Sequence, residues 1–192
     1  MTTNELKQDI HFDATVGSQK LAFVSTWGLF SPKAIDEGTD LLARYVDVAS
    51  DAVCLDFGCG YGPLGLALAK QAPRGRVHMV DKDFVAVDYA VRNATLNGLP
   101  NVDCYLSNGL AQVPAGVTFD VIVSNIPAKI GGELLSIFLN DAYDRLNPGG
   151  KLYVVTISGL KDYMKRNLTQ VFGNYNKLKQ SRTYTAALSQ KS

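Results

Sequence analysis

The sequence predicts an α/β protein with a doubly wound, mostly parallel sheet that ends in an antiparallel hairpin. From residue 53 onward, apolar runs alternate with helical patterns, which is typical of parallel strands joined by right-handed helical crossovers. After the last predicted helix, two short strand patterns are separated only by a polar turn, so they must pair antiparallel.

Each element has a local signal in the chain. Ser31-Pro32 predicts the N-cap and first-turn proline of a helix that continues toward Val48. Apolar runs predict strands at residues 53–57, 77–80, 102–106, 119–123 and 152–157, and hairpin strands at 175–179 and 183–188. Helical patterns cover residues 63–71, 84–97, 132–146 and 160–171, and a turn is expected at 147–150. Seven strands in this order indicate a Rossmann-like fold.

Length and composition fit one domain. With 192 residues, 46% of them apolar, the chain can bury a sizeable core, and we interpret residues 27–192 as the domain and 1–26 as an N-terminal extension. No run approaches the ~18 apolar residues of a membrane span, and residues 1–13 lack a secretion signal. We expect a soluble, cytoplasmic protein without membrane contact. Cys54, Cys59 and Cys104 lack paired spacing, which argues against disulfides and against a metal site.

The charge is polarised along the chain. Residues 151–192 carry eight Lys and Arg against one Asp, whereas the whole chain has a net charge of only +1. Six of these basic residues could form a phosphate-binding surface: Lys161, Lys165, Arg166, Lys177, Lys179 and Arg182. Solvated lysines on a terminal helix and hairpin explain the same pattern, and both interpretations stay open.

Two predicted strands end in acids that would share one crevice. Asp56 closes the first strand just before alternating glycines, and Asp81 closes the second. Ligands of open α/β sheets bind at the carboxyl ends of the strands, so this arrangement predicts a nucleoside site. Gly60 to Gly65 also satisfies the GxGxxG pattern of nicotinamide-dependent oxidoreductases, but Asp56 and the terminal hairpin are foreign to that fold.

Residues 55–62, Leu-Asp-Phe-Gly-Cys-Gly-Tyr-Gly, resemble the first motif, LDxGCGxG, of class I S-adenosylmethionine-dependent methyltransferases. The resemblance implies that S-adenosylmethionine is the cofactor, with Asp56 near its amino group and Asp81, beside Lys82, at the ribose hydroxyls. The loop along the methionine part would comprise Gly58, Cys59, Gly60 and Gly62. After the third strand, Asn108-Gly109 replaces the family's adenine-binding acid. Asn108 keeps an acceptor oxygen, although a turn-forming role remains open.

The fourth strand ends in a segment that resembles the NPP-aromatic motif of amino-directed methyltransferases. In that family, the Asn side chain and the next carbonyl accept hydrogen bonds from a planar exocyclic amine, which would assign these roles to Asn125 and Ile126, followed by Pro127. Asn125 would also face the cofactor. Ile126 and Ala128 depart from the motif, and a turn-capping role for Asn125 stays open.

Upstream, residues 28–42 resemble the small-domain subfamily of these enzymes, which includes ribosomal RNA guanine-N2 methyltransferases and small archaeal proteins. This implies that Phe30 and Asp36 line the cofactor pocket, with a core position as the alternative for Phe30. The likeness covers residues 27–189 and matches only the catalytic half of the ribosomal enzymes.

We therefore expect N-methylation of RNA, with guanine N2 of rRNA as a candidate target. The RNA would be engaged by the basic C-terminal region, a dimer partner or an accessory protein, and the chain would act as a monomer or homodimer. A small-molecule or protein amine as substrate, and a catalytically degenerate S-adenosylmethionine-binding regulator, are the alternatives.

Overall fold

The computed structural model describes residues 8–192 and confirms the predicted fold class. The strands are β1 Ile10–Val16, β2 Gln19–Ser25, β3 Val53–Phe57, β4 Arg76–Asp81, β5 Val102–Leu106, β6 Phe119–Asn125, β7 Leu146–Ile157, β8 Asn176–Gln180 and β9 Tyr184–Gln190. The helices are α1 Glu37–Ala43, α2 Pro63–Gln71, α3 Phe84–Leu96, α4 Gly132–Arg145 and α5 Lys161–Phe172. A 3-10 turn, Ser158–Leu160, precedes α5. Among residues 8–192, no helix has both the length and the apolar character needed to cross a membrane.

Seven strands form the main sheet in the order β5-β4-β3-β6-β7-β9-β8. Strands β3 to β7 are parallel, and β9 pairs antiparallel with both β7 and β8. β4 lies on one side of β3, and β6, which comes later in the chain, lies on the other side, so the strand order reverses at β3. The crevice expected at such a reversal therefore lies above the carboxyl ends of β3, β4 and β6.

The two faces of the sheet carry separate hydrophobic cores. One core packs α1, α2, α3 and the β1-β2 hairpin against the sheet, with Leu42, Leu66 and Met79 among its fully buried side chains. The other packs α4 and α5 against the opposite face around Leu139 and Leu168. Both faces of the central strands are covered, as a parallel sheet requires.

The β1-β2 hairpin was not among the predicted elements. It occupies most of the expected extension at residues 1–26, of which residues 1–7 lie outside the described part. The outer edge of β2 is paired by two amide side chains of α3. Asn97 exchanges two hydrogen bonds with the backbone of Ala22, and Asn93 exchanges two with Val24, all at 2.7 to 3.0 Å. Asn93 also donates to the carbonyl of Tyr61 at 2.9 Å, which ties the hairpin to the loop after β3.

The predicted helix starting at Ser31-Pro32 and running toward Val48 is wrong in both boundaries. Ser31 has a φ of +49°, outside helical space, so the helix cannot begin there. α1 begins only after Asp36, whose carboxylate caps the helix by accepting from the Thr39 N–H at 3.0 Å, and it ends at Ala43.

The turn expected at residues 147–150 lies inside β7 as a bulge. Phe119 pairs with Leu146 and Val121 with Lys151, so four residues of β7 stand opposite one residue of β6. Gly149, at a φ of +78°, takes the left-handed conformation that this bulge needs.

Candidate active site

The loop after β3 is held open toward the predicted crevice. The N–H groups of Gly58 and Cys59 both donate to the carbonyl of Val80, at 2.9 and 3.0 Å, and Gly60 N–H donates to Asp81 Oδ2 at 2.9 Å. Gly58 and Gly60 have φ values of +75° and +56°, and a Cβ on either would meet no atom within 4 Å. The backbone conformation demands glycine, and the free space beside it can admit a ligand.

The next two glycines serve helix packing. Gly62, at a φ of +99°, is the N-cap of α2. A Cβ on Gly65 would lie 2.3 Å from Met79 Sδ and 3.1 Å from Asp56 Oδ2, so α2 can approach β3 and β4 only with glycine there. Gly62 is therefore needed for the backbone turn that begins α2, and Gly65 for the close packing of α2 on the sheet.

Asp56 is buried beneath this loop and only 1% exposed. Its Oδ2 accepts the Gly65 N–H at 2.7 Å. Burial raises the pKa of Asp56 to about 7; the Gly65 bond opposes this rise and the negative charge of Asp81 adds to it. A cationic group beside Asp56 would favour its ionised form. The expected contact with a cofactor amino group stays a prediction.

Asp81 lies at the end of β4 with acceptor capacity to spare. Its Oδ2 accepts from Gly60 and its Oδ1 from the Asp83 N–H at 3.0 Å. A carboxylate has about four acceptor positions, so two hydroxyl groups can still bind. Lys82, the next residue, is exposed.

The turn after β5 lies beside Asp81. Ser107 N–H donates to the Asp81 carbonyl at 2.8 Å, so the exposed Asn108 and the half-buried Gly109, which has a φ of +60°, follow at the same edge. Two large apolar side chains at this edge were missed in the sequence. Phe84 is 70% exposed, and Leu106, which pairs with Asp81 in the sheet, is 52% exposed. The signal was their position, since Leu106 is the last residue of β5 and Phe84 follows the end of β4 by three residues. Exposed apolar surfaces of this kind suit a flat base.

Asn125 ends β6 on the other side of β3. Its Nδ2 donates to Asp36 Oδ2 at 3.0 Å and to Thr39 Oγ1 at 2.9 Å. The hydroxyl of Tyr184 donates to Asp36 Oδ1 at 2.7 Å. The structure thus joins Asn125 to Asp36 and adds Thr39 and Tyr184, none of which the sequence revealed as partners of Asn125. The expected place of Asp36 in the cofactor pocket stays a prediction.

The residues after Asn125 face different environments. Ile126 is buried, its side chain lies in the core around α4 and α5, and its N–H donates to the Val155 carbonyl at 2.9 Å. Pro127 and Ala128 are exposed. Ile126 can therefore offer only its backbone to a ligand.

Phe30 is 67% exposed, so the alternative of a core position is wrong. Its loop is fixed to the loop after β3, because the Tyr61 hydroxyl donates to the carbonyl of Ser31 at 3.1 Å and to that of Ala34 at 3.4 Å. Phe30 is thus displayed beside the glycine loop.

The cysteines offer no reactive thiolate at neutral pH. Burial raises the pKa of Cys54 and of Cys104 to about 12, and it raises the pKa of Cys59 well above its ordinary range. Cys59 thus contributes bulk and backbone to the loop.

Comparisons with known proteins agree on one family. A family model described as the methyltransferase small domain matches residues 20–187. The Bacillus subtilis protein YbxB is 33% identical over 139 residues, which are 72% of this chain and 69% of YbxB. The ribosomal RNA small subunit methyltransferase C of Hahella chejuensis is 37% identical over 132 residues, which are 67% of this chain and 38% of that protein.

A solved structure covers nearly the whole fold. The 16S rRNA N2 methyltransferase RsmC of T. thermophilus, in complex with AdoMet and guanosine, matches with a TM-score of 0.86 at 27% identity. The match covers 96% of this chain and 51% of that one. The chain thus spans about half, or less, of the length of these two ribosomal RNA methyltransferases.

Proposed function

The chain belongs to the methyltransferase small domain family, and from this premise we propose that it transfers a methyl group from S-adenosylmethionine to an exocyclic amine of RNA. Guanine N2 of ribosomal RNA is the target we favour, because the T. thermophilus relative was solved with AdoMet and guanosine. An RNA target of this kind implies a location in the cytoplasm.

One observation carries the proposal: a nucleoside-type crevice and an amide acceptor lie at the same edge of the sheet. The open glycine loop and Asp81 follow β3 and β4, and Asn125 ends the adjoining β6. Dinucleotide-binding folds need the first two features alone. The third supports chemistry on an amine.

The residues present fit the cofactor. Free space beside Gly58 and Gly60 can take its methionine part, the spare acceptors of Asp81 suit the ribose hydroxyls, and the buried carboxyl of Asp56 suits a cationic amino group. Lys82, Asn108 and Gly109 would border the adenine, and Phe30 the opposite rim. Bound S-adenosylmethionine would supply a methyl group on a sulfonium that leaves as a neutral thioether, and the methylated amine would lose one proton to solvent.

The protein then has to align the amine with that methyl group. Asn125 would accept a hydrogen bond from the amine through Oδ1, and the carbonyl of Ile126 would accept a second. These two contacts would hold the amine lone pair out of conjugation with its aromatic ring, so that it points toward the methyl group. Pro127 would stiffen the loop that carries them.

RNA would contact the basic C-terminal region. β8 runs parallel to β7 and so ends at the active-site edge, where Lys179 and Arg182 are exposed. Lys165, Arg166 and Lys177 are also exposed. A cationic rim next to the crevice suits a phosphate backbone.

The first test is transfer of a labelled methyl group from S-adenosylmethionine to ribosomal RNA, with calorimetric titration of S-adenosylhomocysteine beside it. We expect labelled RNA with the wild type and micromolar binding of the product, with none of NADH. Binding of NADH alone would reject the family chemistry. Labelling of a small amine or a protein instead of RNA would move the substrate to that class.

One observation favours a second candidate function, a regulator that binds the cofactor without catalysis. Ile126 and exposed Ala128 replace the proline and the aromatic of the related motif, which removes a stacking surface worth roughly 1 to 3 kcal/mol per base in single-strand binders. A regulator that binds the cofactor without catalysis would show tight S-adenosylhomocysteine binding and no transfer to any component of a cell extract.

A paired charge reversal tests the RNA surface. Lys179→Glu/Arg182→Glu should weaken RNA binding and lower the salt slope, because each lost phosphate contact removes roughly 0.7 to 0.9 from it. Lys20→Glu/Arg44→Glu changes two other exposed basic residues by the same charge and is the matched control. Equal losses in both pairs, measured by salt titration, would leave only a general charge effect.

A further inference from the structure

We propose that Asp36, Thr39 and Tyr184 form a positioning network that decides which end of the Asn125 amide faces the substrate. The inference rests on the proposed methyl transfer to an amine and names a requirement of that site. Asn125 Nδ2 donates to Asp36 Oδ2 at 3.0 Å and to Thr39 Oγ1 at 2.9 Å. The Asp36 carboxylate is in turn held by the Tyr184 hydroxyl at 2.7 Å.

The network fixes the amide because its two ends are nearly equal in shape but opposite in hydrogen bonding. An Asn side chain can turn over and exchange its oxygen for its nitrogen without a steric change. Both oxygens of Asp36 accept hydrogen bonds, from Thr39 N–H and the Tyr184 hydroxyl as well as from Asn125, so the atom of Asn125 that faces it is the donor Nδ2. The opposite orientation would place two oxygens against each other and lose a charge-assisted hydrogen bond.

This orientation leaves Asn125 with only an acceptor to offer. Both hydrogens of Nδ2 are used by Asp36 and Thr39, and within residues 8–192 no hydrogen bond ends on Oδ1. A substrate atom that carries hydrogen, such as an exocyclic amine, can bind there. A ring nitrogen or carbonyl oxygen would present a lone pair to a lone pair. The site therefore favours methyl acceptors that carry hydrogen, such as an exocyclic amine, over bare ring nitrogens and carbonyl oxygens.

Two distant segments build the network, and each is held in place. Asp36 and Thr39 belong to the capped first turn of α1, where Thr39 is 7% exposed. Tyr184 begins β9, and its ring packs so closely on α1 that a Cβ on Gly38 would lie 2.7 Å from it. Burial and the bond to Asp36 raise the pKa of Tyr184 to about 12, so its hydroxyl stays a donor.

The side-chain amide of Asn125 reports the network without any substrate. In ¹⁵N spectra of the full chain its signals are identified by their loss in Asn125→Ala. We expect both amide protons to exchange with water more slowly than those of exposed Asn108. Thr39→Val, which keeps the branched shape but removes the acceptor, should speed exchange of one proton about fivefold. Thr39→Ser is the matched control and should leave it near wild type.

Tyr184→Phe is a second variant that leaves the α1 cap intact, and it should speed exchange about twofold by loosening Asp36. Exchange in the wild type as fast as at Asn108, or unchanged by both Thr39→Val and Tyr184→Phe, would overturn the network.

Kinetics then test its consequence for the reaction. With RNA as substrate, kcat should fall about tenfold in Thr39→Val and about threefold in Tyr184→Phe. KM for RNA and the Kd of S-adenosylhomocysteine should stay within about twofold, and Thr39→Ser should recover kcat. A rise in KM or Kd that matches the loss in kcat, or an equal loss in Thr39→Ser, would indicate packing alone and overturn the positioning role.

Failure of the proposed function would look different. If the wild type methylates no RNA, the substrate assignment falls, and the amide signals then decide the network by themselves.

Discussion

The glycine loop and Asn125 lie at one edge of the same sheet, but the contacts that hold them differ in their span along the chain. Gly60 binds Asp81, 21 residues away, and Asp56 binds Gly65 nine residues away. Asn125, by contrast, is held by Asp36 across 89 residues, and Tyr184 reaches Asp36 across 148. The cofactor side is thus a local motif, whereas the acceptor side exists only when the whole domain is assembled.

If the cofactor side and the acceptor side act independently, removing the Asn125 side chain should leave cofactor binding intact. Asn125→Ala should lower turnover about a hundredfold, an effect of the size seen when one transition-state hydrogen-bonding group is lost. The Kd of S-adenosylhomocysteine should change less than about threefold, because the side chain acts on the amine. Methyl transfer and calorimetry measure the two effects.

Asn140→Ala is the control for this variant, since Asn140 is an exposed amide on α4. Equal losses of turnover and of product affinity in Asn125→Ala would show that the two sides are not separable.

The converse change should harm the cofactor side alone. Asp81→Ala removes the acceptor for two ribose hydroxyls, so we expect the Kd of S-adenosylhomocysteine to rise about thirtyfold, or about 2 kcal/mol. Calorimetry against Asp88→Ala, which removes an exposed carboxylate of α3, separates this from a general charge effect. The same weakening in both variants would argue against a ribose contact.

The cofactor side also differs from the acceptor side in carrying a buried acid, Asp56, which should make the stability of the fold depend on pH. Its pKa of about 7 in the folded protein lies above that of the unfolded chain, so the folded state binds the extra proton as pH falls through 7. Its favourable contribution is therefore present at low pH and is lost as pH rises toward 7.

Asp56→Asn should remove this dependence. The free energy of unfolding of the variant, relative to wild type, should rise by at least about 1 kcal/mol between pH 5 and pH 8. Urea unfolding at the two pH values measures it, and exposed Asp88→Asn should show no such rise. A difference independent of pH would mean that Asp56 stays ionised in the fold.

The strands of the main sheet and α2 to α5 could be predicted because each carries its own apolar period and turn residues. The β1-β2 hairpin was missed although Gly17-Ser18, between alternating apolar residues, is a two-residue turn signal. The start of α1 was misplaced because Ser31-Pro32 has the sequence pattern of a helix start. In the structure the Ser31 carbonyl instead accepts a hydrogen bond from the hydroxyl of Tyr61, which lies in another segment.

The site divides in the same way. Neighbouring strand ends carry the glycine loop and Asp81, so their proximity follows from strand order. No sequence pattern predicts that the hydroxyl of Tyr184 binds Asp36, because that contact depends on the pairing of β9 with β7. Long-range polar contacts of this kind are visible only in three dimensions.

The amide of Asn93 binds β2 at Val24 and the glycine loop at Tyr61 with one side chain. Opening the hairpin would strip the Tyr61 carbonyl of its donor, so the two segments should open as one cooperative unit. Backbone hydrogen exchange at Val24 and Gly62 should then share one opening free energy, and a ligand seated on the loop would slow both. Ligand binding in the crevice would thus be measurable at β2, a strand outside the main sheet.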